Sequence, residues 1–187
     1  MISPLQLAFY RGAGGKYGAV QFNFRRPHYY CVNKDCKQKV YDSTFPPDKC
    51  PASGCTAGKM ESREGALFIE ITSAKGKNDY DWDRKIVMAL SISDLSQLLM
   101  VLEGHQNEVE LMHDPHAKTA NSGTITKRLK LLSPKGIYTP GGGLLVTCSQ
   151  SIKDGDTISH TVPLSPSEVK RLAVCIRTAI PQTLGWN

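Results

Sequence analysis

Apolar residues recur at every second position over several short stretches of this chain, and at every third or fourth over two longer ones. The first period marks a half-buried strand and the second an amphipathic helix. At about 18–25, Val20, Phe22 and Phe24 share one side, leaving Ala19, Gln21, Asn23 and Arg25 on the other. At about 124–133, Ile125, Leu129 and Leu131 point inward and Thr126, Arg128 and Lys130 outward. At about 82–90, Trp82, Arg84, Ile86 and Met88 oppose Asp83, Lys85, Val87 and Ala89. Further strands are predicted at about 5–11, 65–72, 108–113, 144–149 and 157–163. Gly12-Ala-Gly-Gly15 and Gly141-Gly-Gly143 supply hairpin connections.

The two helical stretches are the same pattern written twice. Residues 90–102 read Leu-Ser-Ile-Ser-Asp-Leu-Ser-Gln-Leu-Leu-Met-Val-Leu, and 164–176 read Leu-Ser-Pro-Ser-Glu-Val-Lys-Arg-Leu-Ala-Val-Cys-Ile. Each opens on a serine with an acid three residues later, Ser91 with Asp94 and Ser165 with Glu168, the spacing of a capping box. Pro166 takes the first helical position, where its missing N–H costs nothing. Behind the caps, Leu95, Leu98, Leu99, Leu102 and Val169, Leu172, Ala173, Ile176 line one face each, predicting helices at about 92–103 and 166–180. Each helix follows a glycine, a β-rich run and a second strand. The pattern predicts an antiparallel α+β domain made of two sheet-then-helix halves.

Length and a 40% hydrophobic share fit one domain over 1–187 with a real core. No apolar run is long enough to span a bilayer. The start, Met1-Ile-Ser-Pro-Leu-Gln-Leu, has neither the look of a secretory signal nor that of a transit peptide. The expectation is a soluble intracellular protein with no membrane contact, working in the cytoplasm or nucleoid of a bacterium or virus-infected cell, or in an organelle. A formal charge of +6 suits either ordinary solubility or an electrostatic footprint for phosphates, and placement of the charges decides.

Four of the six cysteines form two matched hooks, Cys31-x4-Cys36 and Cys50-x4-Cys55. Paired hooks let two tight turns deliver four thiolates to one zinc ion. Val-Asn-Lys-Asp and Pro-Ala-Ser-Gly within the hooks suit such turns, and Lys34, Lys37, Lys49 and Lys59 offset the charge. Two disulfides are the other use of the same residues, and His28 or Asp35 could replace a ligand; an intracellular chain favours metal. Four sulfurs leave no open position for water, so this zinc is structural. The module occupies 27–62, between the second and third predicted strands, and its 39–59 stretch has too few aliphatics to hold together alone. Cys148 and Cys175, in a strand and a helix, read as small buried hydrophobes.

Catalytic readings are poor. Gly12-Ala-Gly-Gly-Lys16 leads into a strand and lacks the Ser/Thr of a phosphate loop, and His113-Asp114 before Pro115 reads as a turn. No nucleophile–base pair stands out, so no enzyme is expected. Basic and amide residues on strand faces, with Tyr10, Tyr17, Phe68, Tyr80 and Trp82 nearby, combine the two ingredients of single-strand binders: cations for phosphates and rings for bases. The candidate face comprises Lys16, Tyr17, Gln21, Asn23, Arg25, Phe68, Tyr80, Trp82, Lys85, Arg128 and Lys130. Leu98-Leu-Met-Val-Leu102 is too broad an apolar run for one buried helix face and predicts a protein contact.

Tyr80-Asp-Trp-Asp-Arg-Lys85 running into Leu90-Ser-Ile-Ser-Asp-Leu95 resembles the Whirly family of single-stranded-DNA-binding proteins. So do Leu111-Met-His-Asp-Pro115, Gly123-Thr-Ile-Thr-Lys-Arg-Leu-Lys-Leu131, Leu164-Ser-Pro-Ser-Glu168 and the ending Leu184-Gly-Trp186. Tyr10-Arg-Gly12 with Lys16-Tyr-Gly-Ala-Val20 is similar to an interrupted form of the family's Lys-Gly-Lys-Ala-Ala-Leu motif. The resemblance implies two four-stranded antiparallel sheets packed crosswise, each half followed by a helix. It further implies a homotetramer joined through the helices, binding single-stranded DNA along the sheets with little sequence preference in replication, repair or transcription. Trypanosomal guide-RNA-binding proteins share that fold, so an RNA-binding or annealing factor is the alternative. An adaptor docking its zinc module on a polymerase is a third reading. The cysteine module departs from the plant members.

Overall fold

The computed structural model describes residues 6–12, 17–41, 47, 49–55, 59–115, 124–137, 139 and 142–183. In the first half, β1 (Gln6–Tyr10), β2 (Gly18–Arg25), β6 (Ala66–Gly76) and β8 (Ile86–Leu90) form an antiparallel sheet in the order β1-β2-β6-β8. A two-residue strand, β7 (Asp79–Tyr80), folds back on the far end of β6. In the second half, β9 (Glu108–His113), β10 (Ile125–Leu132), β11 (Leu144–Ile152) and β12 (Thr157–Leu164) make a second antiparallel sheet, ordered β12-β11-β10-β9. Helix α1 (Ile92–Leu102) follows β8 and α2 (Pro166–Thr183) follows β12, the two-fold repeat that the sequence predicts.

The inward phase of the alternation is buried, and Ala19 and Thr72, of the outward phase, are buried as well. Val20, Phe22 and Phe24 on β2, Leu67, Ile69 and Ile71 on β6, and Ile86, Met88 and Leu90 on β8 are buried. They meet Leu129 and Leu131 of β10, Val146 and Cys148 of β11 and Val162 and Leu164 of β12 in one apolar core. Strand β12 packs on β6 and β2, and β11 on β8, so the sheets lie inner face to inner face. Gly18 is required by the close pairing of β2 with β6, since a Cβ there would stand 1.7 Å from the Thr72 carbonyl oxygen. Leu95, Leu98, Val101 and Leu102 of α1 and Val169, Leu172, Ala173, Ile176 and Ala179 of α2 complete the core. Each fully buried leucine there contributes roughly 1.5–3 kcal/mol.

Both capping residues act at their helix starts. The Ser91 hydroxyl accepts from the Asp94 amide, and the Asp94 carboxylate accepts from the Ser91 amide at 2.7 Å. At α2 the Glu168 carboxylate accepts from the Ser165 amide at 2.9 Å and its hydroxyl at 2.8 Å.

Four expectations are corrected. The strand expected at 82–90 begins only at Ile86, because Trp82–Arg84 form a 3-10 turn. The insertion, where no strand is predicted, holds a three-stranded antiparallel sheet ordered β4-β3-β5, from β3 (His28–Cys31), β4 (Lys39–Tyr41) and β5 (Met60–Arg63). The apolar run on α1 is mostly core: Leu98, Val101 and Leu102 are buried and Leu99 partly so, leaving Met100 exposed. Cys148 is buried as expected, whereas Cys175 is only half-buried.

Candidate nucleic-acid interface and metal site

Register on the first sheet places its outward residues in rows. Gln6, Asn23, Phe68 and Ala89 form one row, and Ala8, Gln21, Glu70 and Val87 the next. The Arg25 guanidinium lies over the Phe68 ring, 4.6 Å from its centroid. Gln21 Nε2 donates to Asn23 Oδ1 at 3.0 Å, Asn23 Nδ2 to Glu70 Oε1 at 3.1 Å, and Lys85 Nζ to Glu70 Oε2 at 2.6 Å. Five of the expected residues, Gln21, Asn23, Arg25, Phe68 and Lys85, thus converge on one surface. Glu70, which organises them, was missed, although it has the same strand phase as Phe68.

A second aromatic group lies further along this sheet. Tyr10 and Tyr80 rings stand 5.4 Å apart, and Tyr10 is half exposed. Tyr10 shares the row of Ala19 and Thr72, four residues from Phe68 on β6, or about 13 Å along the strand. Tyr17 is exposed beside the same hairpin, its carbonyl accepting from the Ala74 amide at 2.8 Å. Lys16 falls outside the described residues.

The remaining expected residues stand elsewhere. Arg128 and Lys130 project from the outer face of the second sheet, which is turned away from that of the first because the inner faces pack together. Both are ion-paired, Arg128 with Glu110 at 3.2 Å and Lys130 with Glu108 at 3.1 Å. Serine and threonine pairs, such as Thr147 with Thr161 at 2.9 Å, share that surface with the exposed Met112, which sits opposite Arg128. Trp82 lies half-buried in the 3-10 turn and offers no outward strand position. Beside this turn, Ser73, Asp81 and Arg84 meet Asp156, Ile158 and His160 around a cleft of about 370 Å³. His160 Nε2 lies 3.3 Å from the Arg84 carbonyl oxygen there. Lys127, at an inward phase, reaches across to donate to the Val87 carbonyl at 2.6 Å. Burial lowers its pKa.

The four hook cysteines come together. Their sulfurs all lie within 4.8 Å of one another, with Cys31 to Cys55 at 3.6 Å and Cys36 to Cys50 at 3.5 Å. Zinc bonds of about 2.3 Å in a tetrahedron put sulfurs about 3.8 Å apart, so the cluster fits one ion. Turns shape each hook: the Cys36 amide donates to the Asn33 carbonyl and the Cys55 amide to that of Ala52, both at 3.1 Å. Lys37 and Gly54 take positive φ at the two turns. Burial, with added push from the neighbouring thiols, raises Cys31 to about 12. Cys31 and Cys36 thus resist ionising without a cation, and a divalent ion reverses that balance. His28 lies outside the sulfur cluster, with its ring against that of Tyr41.

The sequence model of the family described as Whirly transcription factor matches residues 52–175, about two thirds of the chain. The protein is a member of the Whirly family. Among its Whirly relatives, the mitochondrial single-stranded DNA-binding protein WHY2 of Arabidopsis thaliana is 28% identical over 128 residues, covering 67% of this chain and 50% of the relative. The chloroplastic WHY1 of Solanum tuberosum is 28% identical over 127 residues, covering 67% and 44%. The chain spans about half the length of the curated relatives it matches. The Whirly fold itself is shown by the structure of Arabidopsis thaliana WHY1, with TM-score 0.72, 20% identity and coverage of 100% of this chain and 88% of that one. The plant transcriptional regulator PBF-2 gives TM-score 0.69 at 22% identity, covering 100% and 85%. The trypanosomal MRP1/MRP2 structure gives 0.53 at 12%, covering 99% and 88%.

Proposed function

We propose that this Whirly protein binds single-stranded DNA without catalysis on the outer face of its first sheet, acting where DNA is melted in replication, repair or transcription. The observation that carries the reading is the Arg25–Phe68 pair beside Lys85, with the Tyr10–Tyr80 rings about 13 Å further along the same sheet. Rings spaced along a cationic surface stack bases of any identity, which gives affinity with little sequence preference. The names of the matched relatives support the same reading. Arg128 and Lys130 form a separate, weaker phosphate surface, because a strand must displace Glu110 and Glu108 to reach them. The four cysteines hold a structural zinc, and four chains assemble through helix surfaces that include Met100 and Val174, both exposed here. The test is a salt titration of labelled oligo-dT, oligo-U and duplex DNA of equal length. Oligo-dT should bind most tightly, since duplex bases are already stacked. Equal affinity for duplex overturns the reading, and tighter binding to oligo-U redirects it to RNA.

A further inference from the structure

The insertion presents a face that the two long sheets do not account for. Cross-strand pairing in its small sheet puts His28, Tyr41 and Arg63 in one row and Tyr30, Lys39 and Glu61 in the next row of the same side. Cys31 and Met60, both buried, belong to the opposite phase. The His28 and Tyr41 rings stand 5.2 Å apart with their planes inclined by 36°, and 49% of Tyr41 stays exposed. Lys39 and Arg63 are exposed beside them. Burial first, and then the charges of Lys39, Arg63 and Arg25, lower the His28 pKa against the pull of the Arg26 carbonyl, so three cations converge on this ring. Glu61 is the one acid among the six. It accepts from the Tyr30 hydroxyl at 2.8 Å and lies 3.8 Å from Lys59.

This face continues from the first sheet. Arg25 pairs with Ala66 at the end of the β2–β6 ladder, and three residues on, His28 pairs with Arg63 at the start of the β3–β5 ladder. That step is about 10 Å of extended chain. Gly65 permits the joint, since a Cβ there would stand 2.8 Å from the Arg25 carbonyl oxygen and 3.1 Å from Pro27 Cδ. Residues 25–63 hold eight basic and four acidic side chains, so four of the chain's six surplus positive charges fall on about a fifth of its length.

We propose that this face is a second contact for the same single-stranded DNA, with bases stacking on His28 and Tyr41 and phosphates meeting Lys39 and Arg63. The strand leaves the first sheet at Arg25 and Phe68 and continues over the insertion. The inference rests on the reading of the first sheet as the primary surface. Full-length wild type, Tyr41→Ala, Tyr41→Phe, a Lys39→Glu/Arg63→Glu double variant and Phe68→Ala are titrated with oligo-dT of two lengths, one filling the first sheet and one also spanning the insertion. Zinc content and circular dichroism confirm that each variant keeps its fold. Tyr41→Ala should weaken the longer oligomer by roughly 5- to 150-fold, the value of one stacked base, and leave the shorter unchanged. Tyr41→Phe should bind as wild type, and the double variant should weaken the longer oligomer with a flatter salt dependence. Phe68→Ala should weaken both lengths. If Tyr41→Ala and the double variant bind both lengths as wild type while Phe68→Ala does not, the insertion contact is overturned and the first-sheet reading stands. If Phe68→Ala binds both lengths as wild type, or wild type binds neither, the first-sheet reading fails and the inference with it.

Discussion

At the scale of single residues, Glu70 is the most telling side chain on the candidate face. It ties up Lys85 and Asn23, so the positive charge of Lys85 is partly spent within the protein. Glu70→Gln keeps an acceptor for Asn23 and removes the anion, and should therefore tighten oligo-dT binding and steepen its salt dependence. Lys85→Ala should instead weaken binding and flatten the log–log salt slope by up to about 0.7, the value of one phosphate contact on a single strand. Phe68→Ala should cost about 1–3 kcal/mol with the slope nearly unchanged, because stacking releases few counterions. Fluorescence titrations at several salt concentrations check all three. The outward phase of Gln21, Asn23 and Arg25 was legible because strand alternation is local. The ion pairs of Arg128 and Lys130 were not, because their partners come from β9, some twenty residues away in sequence.

At the scale of elements, the two helix starts carry separable stability. Ser91→Ala removes a complete capping box and should cost about 1 kcal/mol in a urea melt. Glu168 adds a pH dependence. Burial works to raise its pKa, but hydrogen bonds from the Ser165 amide and hydroxyl and from Arg11 prevail and hold it below the ordinary 4.5. A depressed carboxylate pKa contributes stability that is present above 4.5 and is lost as pH falls through the folded value. Urea melts at neutral and acid pH should show that loss, and Glu168→Gln should reduce it. The 3-10 turn teaches a different lesson. Tyr80-Asp-Trp-Asp-Arg84 alternates like a strand, yet the Asp81 amide donates to the Ser73 carbonyl at 3.0 Å and the Thr72 hydroxyl donates to the Asp81 carbonyl. These bonds to β6 bend the chain and take Trp82 out of strand phase.

At the scale of the whole molecule, the insertion and the long sheets have different sources of cohesion. The sheets and helices share an apolar core from Phe9 to Ala179, whereas the described residues of the insertion contribute none to it. Purified protein should contain about one zinc per chain by metal analysis. Chelation should raise hydrogen exchange in 28–63 and leave β6, β10 and β11 protected; finding two disulfides and no metal would refute the assignment. Light scattering checks the tetramer, which a stable monomer at micromolar concentration would contradict.

The sequence by itself determined what depends on neighbours in the chain: the strand phases, both helices with their caps, the duplicated halves and the two cysteine hooks. Period two and period 3.6 are properties of a few consecutive residues, and a hook needs only a turn. Only the tertiary structure decided what depends on distant segments meeting. It separated Arg128 and Lys130 from Phe68 by packing the sheets face to face, and it drew four sulfurs within 4.8 Å. It also turned most of the α1 apolar run inward, and it paired β3 with β4 and β5 in a segment whose short strands show little local periodicity. In each case the deciding energy lies in contacts between residues far apart in sequence, which no local pattern records.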